Sequence, residues 1–175
     1  MTAARNKRGS AAADVVIAAG IMIFVLAPVF SLVMEKYVLS IKTGIIRDAL
    51  DMTNIAACNA LKTGELGKAR VEADRADVVK IFEELLCLNM NLEKGLIPGK
   101  NSIAEGPVVI KSVEIYLDGL PAVCPGGTVV AKPAVHSSIS VPIKPSLYRK
   151  LMLKLQGKDF IVLTVHVDSE IPVNN

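Results

Sequence analysis

From Val15 to Met34 the chain runs for twenty residues without one charged side chain. At 1.5 Å of rise per residue such a helix covers about 30 Å, the thickness of a bilayer's hydrocarbon core. Length of this order is that of a membrane span and exceeds what a small soluble core needs. Arg5, Lys7 and Arg8 precede the run, and only Glu35 and Lys36 follow it closely. A basic excess on the N-terminal side holds that end in the cytoplasm, so the remaining chain is expected outside the cytoplasmic membrane. A cleaved secretory signal is the competing reading. Its apolar core would be about 7 to 15 residues long and would end in small residues. Here the run ends in Ser31-Leu32-Val33-Met34-Glu35 and no A-x-A site follows, so the segment is expected to stay as a single-pass anchor.

Beyond the anchor, the 175-residue chain leaves enough for one modest core. Its mean hydropathy of +0.45 owes much to the span, and part of its net charge of +3 sits in the basic tail. With no Trp, three Tyr and four Phe there is little to stack on bases, which argues against a nucleic-acid surface.

Between Glu35 and Lys62 there is no proline, and Val38, Ile41, Ile45, Ala49, Met52 and Ala56 recur at helical steps. These residues predict that the span continues as one rod of about 50 residues, roughly 75 Å long, with a modest bend at Pro28. The glycines of Thr63-Gly64-Glu65-Leu66-Gly67 suit a helix end and a turn. A second helix is expected over Lys68 to Lys94, completing a helical hairpin. Val71, Val78, Ile81, Leu85, Leu88 and Leu92 form its apolar stripe and Phe82 widens it. The stripe has too few heptads for an intermolecular coiled coil, so packing on its own domain is expected.

Past Gly95-Leu96-Ile97-Pro98-Gly99 and Gly106-Pro107 the period changes to two. Val109, Val113, Ile115 and Leu117 oppose Ser112, Glu114 and Tyr116. Ile139, Val141 and Ile143 alternate with Ser138, Ser140 and Pro142, and Ile161, Leu163, Val165 and Val167 alternate with Thr164, His166 and Asp168. Three half-buried antiparallel strands are expected, with Pro142 at an edge or strand end. Leu147, Leu151 and Leu155, beside Arg149, Lys150, Lys154 and Lys158, predict a short amphipathic connector whose leucines face the core and whose lysines are solvated. The expected class is therefore α+β: a basic cytoplasmic tail over 1–9, an anchor over 10–34, a helical region over 35–105 and a β-rich region over 106–175.

Chemistry leaves fewer traces. His136 and His166 fall on the polar faces of two strands. Without a CxxC or HxxxE partner they make a poor metal site, so solvated strand histidines are expected. Cys124-Pro125-Gly126-Gly127-Thr128 reads as a turn, since a phosphate cradle needs a lysine and a strand-to-helix setting. No pattern of a catalytic constellation, cofactor site or small-molecule site is present, and an anchored hydrolase has no residue to recommend it. Cys58, Cys87 and Cys124 permit at most one internal bridge. Cys58 shares a helical side with Asp51 and Asn54, and Cys87 shares one with Lys80 and Glu83. Both thiols are therefore expected to point away from the apolar seams, at heights in the hairpin too different for a Cys58–Cys87 bond.

Arg8-Gly9-Ser10-Ala11-Ala12-Ala13-Asp14, followed by an unbroken apolar helix, resembles the N-terminus of type IV prepilin-like precursors, in which a basic leader ends at glycine and an acid stands five residues on. The layout is most similar to the TadE-like pseudopilins of tight-adherence (Flp) pilus systems. They have an anchor helix and further helix, then a strand, a proline-led connector and a last alternating strand. Here these are Ser138 to Pro142, Lys144-Pro145-Ser146-Leu147 and Phe160 to Glu170, with Asp14-Val15 where the family usually has glutamate and an aromatic.

The resemblance implies a pilin-like fold and a minor pilin or pseudopilin that is not an enzyme and serves type IV-like pilus assembly or secretion. It also implies cleavage between Gly9 and Ser10 by a prepilin peptidase, and docking of Asp14 on the new Ser10 ammonium of a neighbouring subunit. Its partners would be the membrane, pilin or pseudopilin subunits and an inner-membrane assembly platform. The alternative is a single-pass anchored binding module unrelated to pili.

Overall fold

The computed structural model describes residues 7–64, 75–116 and 119–171. Lys7 to Gly64 is one helical rod, made of α1 (Lys7–Ile21), a π-turn (Met22–Leu26) and α2 (Ala27–Gly64). The irregularity expected at Pro28 takes the form of that π-turn. Proline lacks an N–H, and its ring crowds the carbonyl of Phe24 one turn earlier. Widening the preceding turn relieves the crowding, and the Ala27 N–H accordingly donates to the Met22 carbonyl five residues back. Among the described residues this is the one helix long and apolar enough to cross a membrane, and its most apolar window is not buried within the molecule.

The C-terminal half of α2 is the spine of the folded domain. Ile46, Leu50 and Ala57 are buried against α3 (Arg75–Asn89) and a three-stranded sheet. The second helix stops at Asn89, short of Lys94, and Asn91 takes a left-handed conformation (φ 52°) that turns the chain into a two-stranded ribbon, β1 (Leu92–Glu93) with β2 (Ile97–Pro98). The deepest residues of α3 are Val78, Phe82 and Leu86, while Leu88 is exposed. The helix thus sits rotated from the expected 78-81-85-88 stripe, with its bulkiest side chain, Phe82, at the centre of the core, where the burial of apolar area is greatest. Val71, Leu66 and Leu117 lie outside the described residues, as does most of the expected turn after Thr63.

The main sheet has the order β3 (Val109–Tyr116), β6 (Ala134–Ile143), β7 (Ile161–Glu170), all antiparallel. Val113, Val135, Ile139, Val141 and Val165 cover one face and pack towards the helices. The first strand departs from strict alternation. Ile110 pairs with Ile139 and Ser112 with Ser138, so Lys111 is an extra residue in a bulge. The bulge turns Ile110 inward and leaves Val109, expected on the inner side, exposed. Pro142 lies beyond the last β3 pair, Val109 with Ser140, where its missing N–H breaks no ladder on that side. Between β3 and β6 a hairpin of β4 (Ala122–Val123) and β5 (Val129–Val130) encloses the Cys124 turn, and α4 (Leu147–Leu155) joins β6 to β7.

The face that α2 turns to its own domain is not the one its apolar periodicity indicates. Asn54 and Thr53 are fully buried, whereas Val38, Ile41, Ile45 and Met52 are exposed. Hydrogen bonds account for the rotation. Asn54 Nδ2 donates to Ser169 Oγ (2.9 Å) on β7 and approaches the carbonyls of Val135 (3.4 Å) and Val167 (3.5 Å). Ser169 Oγ donates in turn to Asp51 Oδ1, and Asn89 Nδ2 of α3 donates to Thr53 Oγ1 (2.8 Å). Cys58, on the same side, is buried in the core and does not point away from it.

Candidate functional site

The uncovered side of α2 begins inside the apolar span and continues past it. Val38, Ile41, Ile45, Met52 and Ile55 follow one another by three or four residues, once Asp48 is placed in the single gap. This is a/d-type helical spacing with an acid at one position, and it leaves an apolar side of α2 that its own domain does not cover. Ile45 is 52% and Met52 63% exposed, although both stand well past the last residue of the span. Leaving such side chains in water forgoes about 1.5–3 kcal/mol each.

At the N-terminal end of the rod, Gly9, Ser10 and Asp14 all lie within α1, and Asp14 is exposed at the start of the apolar stretch. Five residues of helix place Asp14 about 7.5 Å along the axis from Gly9.

The junction between span and domain is built around Glu35, which is buried although it is the first charge after the span. Its Oε1 accepts from the Ser146 N–H (2.7 Å), and Arg149 Nη1 stands 3.8 Å from its Oε2. Ser146 is the N-cap of α4 and its side chain accepts from the Arg149 N–H. A carboxylate on the spine thus holds the positive end of α4 at the level where the span ends. Leu151 and Leu155 of α4 do not face the core as expected but are exposed, as are Lys150 and Lys154, while the side chain of Leu147 lies outside the described ones.

The second cluster lies on the sheet face turned away from α2. His136 on β6 is opposite Asp168 on β7 and Glu114 on β3. His136, expected in solvent, is only 1% exposed, with Cys124 of the β4–β5 turn close against it. Its Nδ1 lies 2.6 Å from Asp168 Oδ1, and Cys124 Sγ lies 3.8 Å from Asp168 Oδ2. One ligand atom from each of Cys124, His136 and Asp168 falls within 4.8 Å of the other two. The turn itself is as the sequence indicates: Gly127 N–H donates to the Cys124 carbonyl (2.8 Å), with Gly127 at φ 81°. His166, two residues before Asp168, is exposed and its ring centroid lies 6.4 Å from that of His136. Beside the cluster, Tyr116 donates to Glu114 Oε2 (2.6 Å), and losing that proton next to a carboxylate is costly, so its phenol is pushed up to about 12.

What Cys124 could not reveal in sequence was its company. The signal available was two strand histidines in phase with Asp168, and only the fold adds the thiol, from a hairpin more than ten residues before His136. Compared with protein-family models, with characterised proteins and with solved structures, the chain matches none.

Proposed function

We propose that this chain is a membrane-anchored minor pilin or pseudopilin, a non-enzymatic subunit for assembly of a tight-adherence-type pilus or a related secretion pseudopilus. The observation that carries the reading is the apolar stripe of α2, which continues unburied from the span into the outer domain. A plain anchor needs apolar surface only within the bilayer. A subunit that packs its spine against other spines needs that surface along the rod, and here it runs on through Ile45 and Met52.

The rest of the chain is consistent with that use. We read the long helix laid on an antiparallel sheet as a pilin-like arrangement, and the packing of α3 on α2 supports the expected helical pair. The basic leader orients the N-terminus to the cytoplasm and the sheet outside. A prepilin peptidase cuts after Gly9, and the Ser10 ammonium of one subunit then meets Asp14 of the next. A carboxylate at the centre of a membrane costs roughly 3 kcal/mol and less near its edge, and pairing it there sets axial register between subunits more than it adds stability. The α4 helix lies at headgroup level with Leu151 and Leu155 in the interface and Lys150 and Lys154 towards anionic lipid.

The experiment is the intact mass of protein extracted from membranes of cells with an active prepilin peptidase. The reading expects loss of Met1 to Gly9 and their retention in Gly9→Leu. A wild-type protein that keeps its leader is an anchored module outside pilus assembly.

A further inference from the structure

The Cys124–His136–Asp168 cluster is neither part of the spine nor used by it, and its geometry says what it is not. In a thiol–imidazole–carboxylate relay, acid and nucleophile occupy opposite ring nitrogens. Here Asp168 takes Nδ1 of His136 and the Cys124 thiol lies 3.8 Å from the same carboxylate, so both groups are on one side of the ring. Three different donor types converging on one point are arranged as ligands are around an ion.

We propose that Cys124, His136 and Asp168 bind one zinc(II) ion, with His166 completing four-coordination from the solvent side. Sulfur, nitrogen and carboxylate oxygen are the donors that zinc takes, and two imidazoles, a thiolate and a carboxylate make a closed tetrahedral set. Zinc bonds of about 2.0 to 2.3 Å put ligand atoms about 3.3 to 3.8 Å apart. The 3.8 Å from Cys124 Sγ to Asp168 Oδ2 already fits; His136 Nδ1 lies 2.6 Å from the other oxygen, Oδ1, and that short contact must open for the imidazole and the carboxylate to share an ion. Asp168 can supply that movement, since it lies on an edge strand and its side chain is 21% exposed.

Gly126 leaves room for the fourth ligand. A Cβ there would come within 3.5 Å of both Cys124 Sγ and His166 Nε2, so the bare turn leaves His166, which stands outside the 4.8 Å group, space to swing towards the thiol. Binding releases the thiol proton, and if the metal takes Nδ1 of His136 the ring's remaining proton sits on Nε2. The ion would join the two-stranded β4–β5 hairpin, too small to be stable by itself, to strands β6 and β7.

The test uses the full chain in detergent, without a polyhistidine tag, stripped by a chelator and then loaded with zinc(II) or cobalt(II). Elemental analysis after dialysis is expected to give one zinc per chain, and the cobalt form a thiolate-to-metal charge-transfer band with the intense visible bands of four-coordination. Cys124→Ser is expected to abolish the charge-transfer band and weaken zinc binding by more than the roughly 10- to 100-fold that loss of an outer-shell partner costs. His166→Ala, at an exposed position, keeps the fold and the charge-transfer band but changes the visible bands as water replaces the imidazole. The proposal is overturned if zinc is not retained stoichiometrically, or if the charge-transfer band survives Cys124→Ser, which would assign it to Cys58 or Cys87. It is equally overturned if His166→Ala leaves both spectrum and affinity unchanged.

Discussion

Asn54→Asp changes one atom type in the contact that fixes how α2 is rotated on its domain. The amide that donates to Ser169 Oγ at 2.9 Å becomes an acceptor, facing the Val135 and Val167 carbonyls at 3.4 and 3.5 Å. Ser169 cannot compensate, because its proton already goes to Asp51 Oδ1, a carboxylate on the same helix turn. An uncompensated charge at a fully buried position costs about 3–5 kcal/mol, out of a total of roughly 5–15 kcal/mol for a domain. With a urea dependence of about 1–3 kcal/mol per molar, the unfolding midpoint of the full chain in detergent should fall by at least about 1 M at neutral pH. The pH dependence has a definite sign. Burial among acceptors raises the folded pKa of the introduced carboxyl above its unfolded value of about 3.9, so the loss is full above the folded pKa and disappears as pH falls below about 3.9. Asn54→Leu, which removes the donor without adding charge, should cost only about 1 kcal/mol. Far-ultraviolet circular dichroism against urea measures both. Equal midpoints for the aspartate variant and wild type at neutral pH would refute the polar lock.

Two further outcomes follow from local geometry. The Tyr116 phenol, raised to about 12 by donating to Glu114, contributes stability that is complete below about pH 10 and lost as pH rises through about 12; the alkaline ultraviolet difference between wild type and Tyr116→Phe should place this transition near 12, and a transition near 10 would mean the bond is not made. A spin label at Leu155→Cys, in a Cys87→Ser background reconstituted with anionic lipid, should collide more with membrane-dissolved oxygen than with a water-soluble relaxant, since Leu155 is 86% exposed on a helix tethered beside the span. The opposite preference would place α4 in solvent.

Much of the architecture could be read from period and punctuation. The uncharged run marks the span, alternation marks β6 and β7, and Cys124 to Thr128 marks a turn. What misled was always a place where a specific contact outweighed an average preference. The α2 stripe has the right period but the wrong partner, because periodicity reports that an apolar side exists and not what covers it. Asn54, Thr53 and Asp51 look like a solvent face until Ser169 and Asn89 are brought opposite them. Val109 is misassigned because one residue, Lys111, is inserted in the ladder, and a single insertion exchanges the faces. His136 is read as solvated because the Cys124 turn against it belongs to a separate hairpin, and its contact with Asp168 on β7 lies in no local window.

In the proposed assembly, the exposed side of α2 is a contact between subunit spines. A photo-crosslinking residue placed at Ile45 or Met52 in cells assembling the pilus, compared with one at Arg47 on another exposed side of the same helix, tests it most directly. The first two positions are expected to join this chain to a pilin-type subunit through that subunit's helix, and Arg47 to give no such product. Equal capture at all three positions, or none at Ile45 and Met52 while the protein is correctly inserted, would contradict it.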